Sequence, residues 1–227
     1  MIYVGMDDTD TLDAPGTNKV ARSLVRELAS DYPCVMVVRH QLLFDPRVPY
    51  TRKNSSASIL FRPCRSGSTE DLCGRLRRAM LDRFVEGSDP GLCVAEDVPE
   101  EVIKFGRRCQ RDVVGQREAR QLAAARNIRL EGLGGTEDGV VGALAAVGLV
   151  AGGNDGRVVG IAQWGDELAG PQDVSLLVER GVAEVRCVET GELIDHGTVD
   201  VGKRLRPNYR GGKIVLFVSR SPECWRA

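Results

Sequence analysis

Three aspartates that follow an apolar segment are the first residues in the sequence with the chemistry of a catalytic site. Asp7, Asp8 and Asp10 come directly after residues 2–6, an apolar run that predicts a buried strand. Crowded carboxylates repel one another, and Mg²⁺ relieves that repulsion when one or two carboxylates bind it together with substrate phosphates. In open α/β sheets ligands bind beyond the carboxyl ends of strands. We therefore predict a catalytic Mg²⁺ site here, in preference to a solvated turn rich in aspartate.

A threonine stands at the predicted start of the first helix. Thr17 follows Gly16 and precedes an apolar repeat of helical period that extends over residues 17–30. The free N–H groups and the dipole at a helix N-terminus favour phosphate binding. The Thr17 hydroxyl could bind a phosphate, accept one, or only cap the helix. The residue types leave these three roles open.

A basic loop separates the next two predicted strands. Residues 45–56 contain the cations Arg47, Arg52 and Lys53, followed by Asn54 and two serines. Arginine and lysine neutralise phosphate charge, so the loop is a candidate for binding a triphosphate. The alternative is a solvated surface loop. Its position directly after an apolar strand favours phosphate binding.

A glycine-rich loop precedes the most apolar predicted helix. Gly134, Gly135, Asp138 and Gly139 stand just before residues 140–150. Glycines allow backbone N–H groups to approach a phosphate closely. The loop matches neither the Walker A motif nor the dinucleotide-binding fingerprint. It is a candidate nucleotide-binding loop, and the alternative is close packing of a helix made of small residues.

The predicted elements that position these residues alternate between strand and helix. This alternation indicates an α/β fold of mixed α+β character, with a catalytic core at residues 1–150. A glycine-rich break at residues 151–156 predicts a boundary before a smaller, β-richer region at 151–227, which is either separate from the core or continuous with it. The predicted helices cover residues 17–30, 69–85, 99–110, 116–126, 140–150 and 172–179, and the predicted strands cover 2–6, 35–43, 58–61, 92–95, 128–130, 158–162, 184–188 and 214–218.

Composition narrows the class of protein. Lys plus Arg is 31 and Asp plus Glu is 32, and aromatic residues make up 5% of the chain, so the sequence lacks the basic excess and the stacking surface of a protein that binds nucleic acid unaided. None of the seven cysteines is in C-x-x-C spacing, which gives little support to a zinc site and indicates reduced cysteines, with Cys34 and Cys93 buried. The sequence has neither a signal-peptide pattern nor an apolar run of about 18 residues, so we expect a cytoplasmic protein with no membrane contact.

Taken in order, these motifs resemble the kinase-like N-terminal domain of archaeal tRNA-isoleucine agmatinylcytidine synthetases and of their shorter relatives. The segments that carry the resemblance are residues 5–10, 16–17, 49–54, 89–91 and 139–148. The resemblance implies a module that uses ATP to activate a tRNA cytidine by phosphoryl transfer, after which agmatine displaces the phosphate. It also implies that Thr17 matches a threonine that is itself phosphorylated, and that the acidic run and residues 52–54 belong to the nucleotide site.

The sequence also departs from those synthetases. They carry an OB-fold and a zinc ribbon that handle tRNA, whereas this chain has no cysteine pairs and no basic excess. We therefore expect an ATP- and Mg²⁺-dependent enzyme that phosphorylates or phospho-activates an unknown second substrate. A tRNA cytidine is one candidate and would need a partner protein for recognition. The alternatives are the catalytic subunit of a split tRNA-modifying complex and a non-enzymatic nucleotide-binding module.

Overall fold

The computed structural model describes residues 1–11, 14–48, 53–63, 67–161, 168–222 and 224–227. In these ranges the chain forms six helices and twelve strands, which confirms the prediction of a mixed α/β fold. In chain order they are β1 (Ile2–Asp7), α1 (Thr17–Leu28), β2 (Cys34–Gln41), β3 (Ser55–Phe61), α2 (Thr69–Leu81), β4 (Gly91–Ala95), α3 (Glu100–Cys109), α4 (Gln116–Ala125), β5 (Arg129–Gly132), α5 (Gly139–Ala151), β6 (Arg157–Ile161), β7 (Pro171–Asp173), α6 (Val174–Glu179), β8 (Glu184–Cys187), β9 (Thr198–Asp200), β10 (Asn208–Arg210), β11 (Lys213–Arg220) and β12 (Trp225–Arg226).

The strands form a mostly antiparallel sheet with β1 near the middle of its first half. The order is β5-β4-β1-β3-β2-β6-β10-β11-β12-β9-β7, and β8 pairs with β11. β1 is antiparallel to both of its neighbours, with Met6 opposite Ala57 and Asp7 opposite Gly91. The carboxyl end of β1 therefore lies beside the amino ends of β3 and β4. The rule for parallel sheets, from which we expected a ligand at this edge, does not describe this arrangement.

Helices cover both faces of the first half of the sheet. On one face α1 and α2 bury apolar side chains such as Leu24 and Leu76 against β1 and β3. On the other face α3, α4 and α5 form a second core that includes Phe105 and Leu144. The helix α5 packs so closely on β1 that a Cβ atom at Gly5 would overlap the carbonyl group of Ala143. Glycine at this position permits the close approach that places the end of β1 at the start of α5.

The predicted boundary at residues 151–156 is followed by a strand that joins the first half of the sheet. β6 pairs with β2 on one side and, through Arg157 opposite Asn208, with β10 on the other. A separate core lies beyond it and packs α6 against β8, β9 and β11. The division into residues 1–150 and 151–227 stays a prediction, and strand pairing through β6 connects the two parts.

Two further observations concern burial and membranes. Cys34 and Cys93 are buried, as predicted, and the six cysteines within the described ranges carry free thiols. No helix among the described residues is both long enough and apolar enough to cross a membrane.

Candidate functional site

One cleft collects most of the residues that the sequence singles out. It has a volume of about 930 Å³, counting its open mouth, which falls in the range of about 300–1,000 Å³ of small-molecule sites. Nine predicted site residues line it, namely Asp7, Asp8, Asp10, Thr17, Arg47, Lys53, Asn54, Asp138 and Gly139. Arg52 lies outside the described residues. The cleft thus gathers residues from the acidic run, the basic loop and the start of α5.

Gly134 and Gly135 do not line the cleft. A Cβ atom at Gly134 would overlap the ring of Phe84, and one at Gly135 would overlap the Asp89 carboxylate. Gly135 also has a φ of +60°, a conformation that glycine adopts without strain. These two glycines allow the loop before α5 to fold against the loop before β4. Their predicted contact with a nucleotide stays a prediction.

The Asp7 carboxylate lies against the first turn of α5. β1 ends at Asp7, and its side chain is so close to Gly142 that a Cβ atom there would overlap Oδ2. Gly142 lines the same cleft. Only a residue without a side chain at position 142 leaves room for the carboxylate in this place. The glycines of α5 therefore shape the acidic end of the cleft.

The carboxyl groups of Asp7 and Asp8, which form the acidic end of the cleft, are costly to ionise. Burial raises the pKa of Asp7 to about 8, and the charge of Asp8 adds to this effect. Burial also raises the pKa of Asp8 to about 6, followed by repulsion from Asp89, Asp10 and Asp138. Because a bound cation favours the ionised carboxylates, this end of the cleft is suited to a cation.

The donor set fits a cation that shares its ligands with a substrate. Within the described ranges, no group of three or more His, Cys, Asp or Glu side chains is arranged to hold a metal ion by itself. Mg²⁺ commonly takes only one or two carboxylates and completes its octahedron with water and substrate phosphates. Asp7 and Asp8 are the residues best placed to supply those carboxylates, with Asp10 beside them.

Hydrogen bonds tie three loops together around the acidic end. Asp8 has a φ of 49°, and its carbonyl accepts a bond from the Asp89 N–H at 3.2 Å. The Asp89 carbonyl accepts from the Gly139 N–H at 3.1 Å, and its carboxylate accepts from the Thr136 N–H. The Asp8 backbone is therefore fixed by two other loops.

Thr17 is not the N-cap of α1, so the predicted capping role is wrong. The N-cap is Gly16, which makes no side-chain cap bond, and Thr17 is the first helical residue. The Thr17 hydroxyl donates to Asp10 Oδ1 at 3.0 Å and accepts from the Thr9 hydroxyl at 3.2 Å. It is buried and lines the cleft. Its roles as phosphate ligand and phosphate acceptor stay predictions.

The basic loop supplies cations, but some of its polar side chains already have partners within the protein. Arg47 makes a two-pronged ion pair with Asp45, with both nitrogen–oxygen distances at 2.8 Å. This pair lowers the pKa of Asp45 to about 2. The Asn54 amide donates to the Leu43 carbonyl at 2.8 Å and holds the loop to β2. Among the predicted phosphate-binding residues, Lys53 is exposed at the cleft and has the simplest path to a ligand.

Apolar residues also line the cleft, and the sequence motifs did not indicate them. Val113 and Val114 come from the connection between α3 and α4, and Leu42 and Leu43 follow β2. Val113 stands in a short polar segment, and its side chain is 47% exposed. The two adjacent valines in an otherwise polar loop were the sequence signal that could have indicated this apolar lining. The cleft thus combines carboxylates with an apolar lining.

A buried histidine network lies behind the cleft and was also missed. His40 Nδ1 is 2.7 Å from Asp155 Oδ2, and His40 Nε2 is 2.9 Å from Ser58 Oγ. The order of groups matches a Ser-His-Asp triad, but both His40 and Ser58 are fully buried. A substrate has no access to this serine, so the network fixes β2, β3 and the turn at Asp155 to one another.

Comparisons with known proteins find similarity to TiaS over part of the chain. No protein-family model matches the chain. The tRNA(Ile2) 2-agmatinylcytidine synthetase TiaS of Pyrococcus horikoshii is 28% identical over 155 residues, covering 65% of this chain and 35% of TiaS. The crystal structure of apo TiaS superimposes with a TM-score of 0.56 at 22% identity, again over 65% of this chain and 35% of that one.

Two further solved structures have the same fold. The complex of TiaS with tRNA(Ile2) and ATP gives a TM-score of 0.57 at 22% identity, over 65% of this chain and 36% of that one. A tRNA fluorescent labeling enzyme gives 0.56 at 24% identity, over 65% of this chain and 35% of that one. The chain spans about a third of the length of these relatives. Over 65% of its own length, it resembles the N-terminal region of TiaS in sequence and in fold.

Proposed function

We propose that this chain is an ATP- and Mg²⁺-dependent enzyme that phosphorylates or phospho-activates a second substrate. The observation that carries the proposal is the composition of the single cleft around Asp7 and Asp8. Carboxylates that are costly to ionise, cations and apolar side chains all line it. Such a cleft suits a nucleoside triphosphate, which has a flat base, a charged phosphate tail and a bound divalent cation.

Each part of the cleft has a role in this proposal. Asp7, Asp8 and Asp10 hold Mg²⁺, which when bound neutralises charge on the phosphates that are transferred. Lys53 and Arg47 bind phosphate oxygens from the opposite side, and Arg52 is the third candidate. The N-terminus of α5 at Asp138 and Gly139 adds the positive end of its helix dipole. The apolar slot at Val113 and Val114 receives the base.

The related proteins support this proposal and suggest the second substrate. TiaS is named for its action on tRNA(Ile2), and its solved complexes contain ATP with tRNA, or AMPCPP with agmatine and tRNA. We propose a tRNA base as the first candidate for the second substrate of this chain. The chain spans about 35% of TiaS. A partner protein that recognises tRNA is part of the proposal, because the chain carries no basic excess.

ATP consumption tests the enzymatic proposal. The wild-type chain, Asp8→Asn and the control Asp82→Asn are each incubated with Mg²⁺-ATP, with and without bulk tRNA, and the released nucleotide and phosphate are measured. Asp82 is exposed at the C-terminal end of α2, away from the cleft. We expect turnover in wild type and control and a loss of about 100-fold or more in Asp8→Asn, because Asn removes the charge that the cation needs. Equal turnover in all three proteins would disprove the role of Asp8.

Binding without turnover would point to the non-enzymatic alternative. If wild type binds Mg²⁺-ATP but releases no product with tRNA or with a panel of small hydroxyl and carbonyl compounds, the chain is a nucleotide-binding module. The apolar slot and the acidic end would then have a sensing role.

A further inference from the structure

A second groove, richer in positive charge, lies next to the candidate cleft. It runs between α1 and the segment 204–206, with a volume of about 1660 Å³ counting its open mouth. Five cations line it, namely Lys19, Arg22, Arg26, Arg204 and Arg206. Among the described residues that line the groove, none is acidic. The whole chain, by contrast, has a formal charge of -1.

The cations of α1 form a continuous stripe. Lys19, Arg22 and Arg26 are spaced by three and four residues, which places them on one face of the helix. The stripe covers about 10 Å along the helix axis. Like charges at this spacing destabilise a helix by a few tenths of a kcal/mol per pair. An anion bound along the stripe would offset that repulsion.

The sheet continues the same band of charge. Arg39 and Arg157 stand directly opposite each other on β2 and β6. Each alternates along its strand with a groove residue, Val37 or Val159, and so shares its face of the sheet. Burial lowers the pKa of Arg39, and the charges of Arg157 and Arg206 lower it further. Like charges placed opposite each other destabilise a sheet, so this pair is also suited to an anion.

The groove meets the cleft at two points. Gly16 and Asn18 line the groove, whereas Thr17 between them lines the cleft. Arg39 Nε donates to Ser55 Oγ at 3.2 Å, and Ser55 also lines the cleft. The groove therefore adjoins the cleft at Thr17, whose hydroxyl donates to Asp10. The Oδ1 atom of Asn18 is buried and has no hydrogen-bond partner among the described residues.

We propose that this groove binds phosphate groups of the second substrate and leads its reactive end to the cleft. The proposal rests on the proposed function for the identity of the cleft, but the groove itself stands on its own residues. Cations spread over two turns of α1 and onto the sheet fit several phosphates in a row, as along a nucleic-acid strand, better than a single phosphate. The segment 204–206 completes the groove from the far end of the chain.

Binding of a fluorescently labelled single-stranded RNA of about 15 nucleotides tests the groove. Lys19→Glu/Arg26→Glu is compared with wild type and with the matched control Lys104→Glu/Arg107→Glu, whose residues are exposed on α3 outside the groove. We expect the groove variant to bind at least about tenfold more weakly at low salt, and wild-type affinity to fall as salt rises. Equal affinity in the groove and control variants would overturn the proposal.

Competition separates the two sources of phosphate. If the ligand is a nucleic-acid strand, inorganic pyrophosphate at the same phosphate concentration leaves most of the RNA bound. Complete displacement by pyrophosphate would keep the groove as a phosphate site and assign it to a small phosphorylated substrate. Failure of both RNA and pyrophosphate to bind wild type would overturn the proposal.

A second variant protects the test against misfolding. Arg204→Gln/Arg206→Gln removes charge from the opposite wall without reversing it, and its RNA affinity is expected to fall in the same direction. Each variant is checked by thermal unfolding and by calorimetry of Mg²⁺-ATP binding. Loss of RNA binding with intact ATP binding supports the groove. Intact RNA binding with no ATP binding in wild type would contradict the proposed function and leave the groove in place.

Discussion

Asp7, Asp8 and Thr17 show how single residues are held in this cleft. Asp7 is placed by Gly142, which has no side chain to displace it, and Asp8 by a backbone bond from Asp89. Thr17 is placed by hydrogen bonds to Asp10 and Thr9. The side chains of Asp7 and Thr17 and the backbone of Asp8 are therefore positioned before a ligand arrives. Preorganisation of this kind lowers the cost of arranging charges around a transition state.

The hydroxyl of Thr17 gives a prediction at the scale of one residue. Thr17→Ala removes the donor to Asp10 and should lower the free energy of unfolding by about 1–2 kcal/mol, whereas Thr17→Ser keeps the hydroxyl. We expect Ser to retain turnover and Ala to lose most of it. Intact mass spectrometry after incubation with Mg²⁺-ATP should show one added phosphate on wild type only.

Two results would contradict these roles for Thr17. No added mass on wild type would remove the acceptor role and leave a phosphate ligand. Normal turnover in Thr17→Ala would remove the ligand role as well, and would leave a hydroxyl that only orders the loop from Thr9 to Thr17.

At the scale of elements, sequence periodicity predicted most helices and strands but not how they meet. The apolar pattern of residues 140–150 predicted α5 closely, because nearly every position of that helix is buried. The short strands β7, β9, β10 and β12 were missed, since two or three residues carry no periodic signal.

The candidate site, like the fold, was predicted only in part. Asp7, Asp8 and Asp10 were recognisable because their charge follows an apolar strand. The slot at Val113 and Val114 was not, because tertiary packing of the α3–α4 connection brings it to the cleft. The interpretation of Thr17 as a cap failed because Thr17 is already the first helical residue of α1. Gly16 occupies the N-cap position instead.

The histidine network between β2, β3 and the turn at Asp155 gives a prediction about elements. Burial alone would raise the pKa of Asp155, but hydrogen bonds and charge from His40, with a bond from Gln110, outweigh it and lower the pKa. The stability that this carboxylate contributes is thus present above its unfolded pKa of about 3.9 and is lost as pH falls through its lower folded pKa. Asp155→Asn should lower the free energy of unfolding at pH 7 by about 2 kcal/mol, since it leaves His40 poorly paired.

Urea unfolding at two pH values checks this prediction. The difference between wild type and Asp155→Asn should narrow from pH 7 to pH 3, because only wild type loses the carboxylate contribution on acidification. A matched control is Asp195→Asn, whose carboxylate is exposed beside His196. A difference that is the same at both pH values would show that the carboxylate charge is not what stabilises this region.

At the scale of the whole molecule, the two candidate sites adjoin each other and differ in charge. The cleft holds carboxylates and the groove holds cations, and they meet across residues 16–18. A formal charge near zero is compatible with local groups of like charge. The sheet joins the elements that carry both sites, because β2 and β6 provide the floor of the groove and Leu42, just beyond β2, lines the cleft.

Calorimetric titration of ATP with and without Mg²⁺ tests the central claim most directly. Wild type and the control Asp82→Asn should bind ATP with an affinity that rises at least about tenfold when Mg²⁺ replaces EDTA, because the cation relieves repulsion among the carboxylates. Asp8→Asn should stay folded, since Asn tolerates the left-handed backbone at this position, and should lose most of this Mg²⁺ dependence. Equal Mg²⁺-dependent binding in wild type and in Asp7→Asn, Asp8→Asn and Asp10→Asn would contradict the account.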